Sequence, residues 1–236
     1  KDLTLLQREL LGLLLTARGQ RIAQEKVLLE LWPDTRPNNA RKSFDSLLAR
    51  LRQLLTTQFN VPAKEYLYMQ KGILCLANYQ IDALQFLEAA RSGLYHYRNG
   101  ERLQACKALY AALSLWKGGM PDDTFHSEQV FTFNDTLSNL LIRSGLTLAT
   151  ILAEAQRDDE AIAVIERILK HNCLEDRLTT LLYQLHRRNN TPLKAKDILE
   201  RYRKALLKAD YSEEEAGKFL DAIVECSQSD RICRIW

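Results

Sequence analysis

Apolar residues recur every three or four positions along most of this chain, the spacing that puts them on one face of a helix. Behind a capping Thr4, Leu5, Leu6, Leu10, Leu11, Leu13, Leu14 and Leu15 form one broad apolar face that ends near Gly19. A second helix is predicted over 24–32, and Pro33 and Pro37 bound the turn that follows it. Asn38 or Asn39 is expected to cap a third, longer helix over 40–56. Beyond a linker containing Pro62 the pattern changes. Tyr66 to Leu76 gathers aromatic and β-branched residues about Gly72, which predicts a short hairpin. Three helices and then a hairpin make a winged helix-turn-helix.

From residue 82 the helical period returns, over 82–97, 101–116, 127–156, 159–171, 174–188, 192–208 and 212–227. The breaks carry turn chemistry: Asn99-Gly100, Gly118-Gly119-Met120-Pro121, Arg157-Asp158, Asn189-Asn190 and Asp210. Within this stretch 159–167 resembles 193–201, with Ala161 aligned on Ala195, an offset of 34 residues. That is the tetratricopeptide period. Small Ala residues at a close crossing suit stacked helix hairpins, and Ala105, ahead of Leu109, Leu113 and Trp116, marks another helix of this type. The expected fold is mainly α: a winged helix with a short hairpin wing over 1–80, then a TPR-like helical repeat domain over 81–236. Stacked hairpins typically offer a concave surface to proteins or peptides; the plainer alternative is a packing layer with no ligand.

The third helix has two distinct sides. At 100° per residue, Phe44, Leu47, Leu48, Leu51, Leu54 and Leu55 share one face. Opposite them lie Asn39, Lys42, Ser46, Ala49 and Gln53, flanked by Arg41, Asp45, Arg50 and Arg52. Short polar side chains between cations suit the major groove, where cations hold phosphates and compact polar groups reach base edges. The same pattern also describes an ordinary solvated face.

Charge sharpens the choice. Of 236 residues, 33 are Lys or Arg and 30 Asp or Glu, for a formal charge of +3. Residues 1–80 hold 12 basic and 7 acidic side chains, a surplus of five, whereas 81–236 hold 21 and 23. A basic surplus confined to the first third fits a nucleic-acid-binding module joined to a neutral one. The 46% hydrophobic content excludes a disordered tail or polybasic arm, and 9 Gly with 5 Pro argue against a turn-rich sheet protein. No run reaches the roughly 18 to 20 apolar residues of a membrane span. Lacking a signal-peptide cleavage pattern at Lys1, the chain is expected in the cytoplasm. It also begins without an initiator Met, which points to a longer natural protein.

Catalytic chemistry is not indicated. The five cysteines are scattered without a C-x-x-C pair, and His96, His126, His171 and His186 are isolated, so no metal site is expected. There is no phosphate loop, nucleophile elbow or zinc helix, and no cofactor is implied. The acids Glu213, Glu214 and Glu215 after Ser212 suit the positive end of a helix dipole. Trp32 and Trp116 read as packing residues, whereas Trp236 ends a tail, 231–236, able to dock on a neighbour.

Taken in order, these pieces resemble an OmpR/PhoB-type winged helix followed by the bacterial transcriptional activator domain of SARP-type regulators. The resemblance runs from about Leu3 to Glu225. In the first domain it rests on residues 3–15, Leu28-Leu29-Glu30-Leu31-Trp32-Pro33, Asn39-Ala40-Arg41-Lys42-Ser43-Phe44, 49–55 and Lys71-Gly72-Ile73-Leu74-Cys75-Leu76. In the second it rests on Ile81-Asp82-Ala83-Leu84-Gln85-Phe86, 112–119 and Leu174-Glu175-Asp176-Arg177-Leu178. It implies a DNA-binding transcription regulator with a recognition helix over 39–55. Arg41, Lys42, Ser46 and Arg50 would face DNA, and Lys71 on the wing would touch the backbone or minor groove.

Asp45 and Leu47 depart from that family's pattern, which favours a neutral or basic residue at the first and a polar one at the second. The family's small N-terminal sheet has no counterpart before Lys1. Related modules also end larger ATP-dependent, MalT-like regulators. The expected partners are double-stranded DNA, RNA polymerase or another protein on the repeats, and a second protomer; no membrane is expected. The alternative is a protein-interaction scaffold whose winged helix no longer reads DNA, which Asp45 and Leu47 favour.

Overall fold

The computed structural model describes residues 3–60, 62–78, 80–118 and 125–227, and within them the chain divides into two compact units. The first comprises Lys1–Ile81 with Gly119–Leu137, the second Asp82–Gly118 with Ser138–Trp236. The first unit thus also takes Gly119–Leu137, a segment that the sequence pattern runs on with the repeats. The Gly119-Met120-Pro121 part of one expected turn and the 231–236 tail lie outside the described residues.

In the first unit, α1 (Leu5–Thr16) starts behind Thr4, whose backbone N–H donates to Gln7 Oε1 at 2.9 Å. A 3-10 turn, Arg18–Gln20, carries Gly19 at φ 65 and leads into β1 (Arg21–Ala23), then α2 (Gln24–Leu31) and α3 (Pro37–Phe59). After a second 3-10 turn come β2 (Leu67–Gln70) and β3 (Ile73–Leu76). The sheet order is β1-β3-β2, antiparallel throughout, with Ile22 opposite Leu74 and Tyr68 opposite Cys75.

α3 is not capped by Asn38 or Asn39: Arg36 is its N-cap and Pro37 its first residue, because a proline ring already holds φ at the helical value and brings no N–H to satisfy. β1 was also absent from the sequence pattern. It supplies a third strand between α1 and α2, with only Ile22 buried of its three residues.

One core holds the unit together: Leu10, Leu13, Leu14, Val27, Phe44, Leu48, Leu51, Leu67 and Leu74, with Trp32 packed against it. Leu47, at 8% exposure, joins this core. Its apolar character is therefore explained by packing, and α3 keeps its polar side outward.

The second unit is helical: α4 (Asp82–Arg98), α5 (Arg102–Leu115), α6 (Glu128–Glu154, from Ser138 onward), α7 (Asp158–Leu169), α8 (Asp176–Arg188), α9 (Pro192–Lys208) and α10 (Glu213–Cys226). Left-handed residues Gly100, Gln156, Asn190 and Asp210 turn the chain between successive helices. α10 begins with a capping box, in which Ser212 Oγ accepts from the Glu215 N–H and Glu215 Oε2 accepts from the Ser212 N–H. The matched alanines Ala161 and Ala195, and Ala105 before them, are all buried near the starts of α7, α9 and α5.

Gly93 on α4 lies against Leu109 of α5, and Gly145 on α6 against Ile168 of α7. Phe86 and Trp116 meet at 5.1 Å between ring centroids. α6 is long and apolar enough to cross a membrane by length and composition, but 61% of its most apolar window is buried inside the protein. It is a core helix of the fold.

Candidate nucleic-acid interface

α3 presents its polar side to solvent because its apolar stripe is committed to the core. Ala40, Phe44, Leu47, Leu48, Leu51 and Leu55 are buried, while Asn39, Arg41, Lys42, Asp45, Ser46, Ala49, Arg50 and Gln53 are exposed. From Asn39 to Gln53 this surface extends about 21 Å along the helix at 1.5 Å per residue. Lys42, Ser46 and Arg50 come together with Ser43 around an open cleft of about 390 Å³, which Leu6, Trp32 and Leu47 also line. Asn39 and Gln53 stand at the two ends of the same surface, and Arg41 on its flank. Leu6 and Trp32 were not part of the expected site, since nothing in a linear pattern brings α1 and the end of α2 beside α3.

The hairpin tip is the second exposed element. Lys71 (φ 50) and Gly72 (φ 78) form a two-residue turn with both residues left-handed, the type I′ geometry that matches the twist of paired strands. Lys71 is exposed there, on an element separate from α3.

Electrostatically the two units differ. Every ion pair found among the described residues, including Arg102–Glu154, Arg188–Asp158 and Arg203–Glu213, lies in the second unit. Among the described residues Arg41, Lys42, Arg50 and Lys71 have no carboxylate partner, so their positive potential is uncompensated by contact. Arg52 behaves differently. It is half-buried, its Nε–H donates to the Leu67 carbonyl at 2.8 Å, and burial lowers its guanidinium from the usual value. Expected as one of four flanking charges, it faces the hairpin stem instead.

Asp45 remains on the exposed surface, a carboxylate beside cations. Among the described residues no group of three or more His, Cys, Asp or Glu converges as a metal ligand set, and Cys75, Cys106 and Cys173 are free thiols.

Residues 81–221 match the family model of the bacterial transcriptional activator domain, more than half of the chain. The chain belongs to this family. Its relatives are regulators of SARP type: it is 28% identical over 170 residues to the transcriptional regulatory protein MoaR1 of Mycobacterium tuberculosis (strain ATCC 25618 / H37Rv), covering 69% of this chain and 53% of that protein. It is 26% identical over 181 residues to the transcriptional regulatory protein EmbR of Mycobacterium bovis (strain ATCC BAA-935 / AF2122/97), covering 75% of this chain and 46% of EmbR.

The match thus spans about half the length of these curated relatives. A solved structure, Mycobacterium tuberculosis EmbR in complex with a low-affinity phosphopeptide, superposes on 97% of this chain and 60% of that one, with a TM-score of 0.67 and 23% identity. That likeness shows the fold, a winged helix joined to the activator domain's helical repeats.

Proposed function

We propose that this chain is the DNA-reading and partner-binding portion of a transcriptional activator. The observation that carries the reading is the exposed, unpaired set Arg41, Lys42 and Arg50 on a helix whose other face is locked into the core, with Lys71 exposed on the wing. In this reading α3 enters the major groove of double-stranded DNA. Arg41, Lys42, Arg50 and Lys71 hold phosphates, while Asn39, Ser46 and Gln53 reach base edges.

The helical repeats serve a second protomer, RNA polymerase or another protein. The chain works in the cytoplasm without catalysis, cofactor or metal. Each phosphate contact releases condensed counterions, so affinity falls as salt rises.

One observation favours a second reading, a protein-interaction scaffold with a winged helix that no longer reads DNA: the Asp45 carboxylate lies on the surface that would meet phosphates. A duplex titration of wild type against Arg41→Ala and Lys42→Ala separates the two. Binding that weakens in both variants supports the regulator, whereas absence of binding, or variants equal to wild type, supports the scaffold.

A further inference from the structure

We propose that Arg52 is a positioning residue that sets where the wing tip Lys71 meets DNA, acting through the hairpin stem and not by its own charge. This role rests on the DNA-binding reading above and adds a component to it. β2 is an edge strand, bonded on one side to β3. Tyr66 gives its carbonyl to the Ala77 amide at 2.9 Å, toward β3, so the carbonyl of the next residue, Leu67, points to the open edge. Leu67 is fully buried, and a buried carbonyl without a partner is strongly disfavoured.

Arg52, a turn after the core residue Leu48 on α3, supplies that partner through Nε at 2.8 Å. The contact ties the recognition helix to the base of the hairpin. At the far end of β2 the Lys71-Gly72 turn is held on its β3 side, where the Gly72 carbonyl accepts from the Gln24 N–H at 2.9 Å, so the hairpin is fixed at two points and Arg52 sets the β2 side that runs to Lys71 about 14 Å away, at about 3.4 Å per strand residue.

Arg52→Lys separates position from charge, because it keeps the cation and loses the planar Nε–H donor. The probe is a 30-base-pair duplex enriched from a random pool by the wild-type chain, titrated by fluorescence anisotropy over a range of salt. Lys71→Ala is expected to weaken binding roughly three- to fivefold, the size of one exposed ion pair, and to reduce the salt slope by about 1. Arg52→Lys is expected to do the same despite its unchanged formal charge, and the double variant to bind no worse than Arg52→Lys alone.

Thermal melting and the Gly72 amide signal in an NMR spectrum accompany each titration. The proposal requires a folded Arg52→Lys chain with a displaced or broadened Gly72 resonance. An Arg52→Lys chain that binds as tightly as wild type, a double variant weakened by the product of the two single effects, or an unchanged Gly72 resonance overturns the role while the DNA-binding reading stands. A wild-type chain that enriches no duplex overturns that reading and this role together.

Discussion

The same substitution, Gly→Ala, is expected to act with opposite sign at two helical positions of the second unit. At Gly93 an added Cβ would lie 2.6 Å from Leu109 Cγ, 2.7 Å from its Cδ2 and 3.1 Å from its backbone N. Leu109 is fully buried, so its side chain has no space to retreat into, and the backbone atom cannot move without shifting α5. Alanine gains about 1 kcal/mol of helix propensity over glycine, but overpacking a filled core costs typically 1–3 kcal/mol and more when backbone must shift. The net expectation for Gly93→Ala is destabilisation by about 1–2 kcal/mol.

Gly217, inside α10, has nothing within 4 Å of the equivalent point. Gly217→Ala should keep the propensity gain and stabilise by about 0.5–1 kcal/mol. At about 2–4 °C per kcal/mol for domains of this size, thermal melts followed by circular dichroism should shift down for Gly93→Ala and up for Gly217→Ala. A Gly93→Ala chain that melts at or above wild type would refute the close α4–α5 crossing.

Two pH-dependent effects follow from buried groups. His186 is 5% exposed, bonded through Nδ1 to Thr191 Oγ1 at 2.9 Å, and burial, with Lys194 adding to it, holds its pKa below the ordinary value. The unfolded chain therefore binds the proton first, so stability present above about pH 6.5 is lost as pH falls below it. Urea midpoints should decline from pH 7 to pH 5 and flatten in His186→Asn; an identical decline in the variant would contradict this. Burial, with Asp176 and Glu175 nearby, pushes the Tyr202 hydroxyl up to about 12. The unfolded form ionises first near pH 10, so stability is lost above that pH, and ultraviolet titration should show a late tyrosinate component that shrinks by one tyrosine in Tyr202→Phe.

The helices were legible because their punctuation is local. Asn99-Gly100, Asn189-Asn190 and Asp210 announce breaks, and in the structure Gly100, Asn190 and Asp210 carry the left-handed turns. The two sides of α3 were legible for a similar reason: a single period sorts Phe44, Leu48 and Leu51 from Lys42, Ser46 and Arg50, and burial follows it. β1 was not legible, since three residues with one buried side chain carry no period and their strand character comes from pairing with Ile73–Cys75 about fifty positions later. α3 starts ahead of the expected asparagine cap because the fixed φ of Pro37 begins the helix earlier than asparagine preference would. Arg52 looked like one cation among several; its bond to Leu67 exists only once the hairpin folds back on α3.

In the proposed complex the exposed cations of the first unit neutralise phosphates. The direct measurement is the salt dependence of duplex binding by the whole chain, taken from about 50 to 200 mM monovalent salt. With Arg41, Lys42, Arg50 and Lys71 each displacing counterions, the logarithm of affinity should fall against the logarithm of salt with a slope of about −3.6, and by about one unit less steeply in Arg50→Ala. A slope near zero, or a chain that leaves duplex DNA unbound at the lowest salt, would contradict the account.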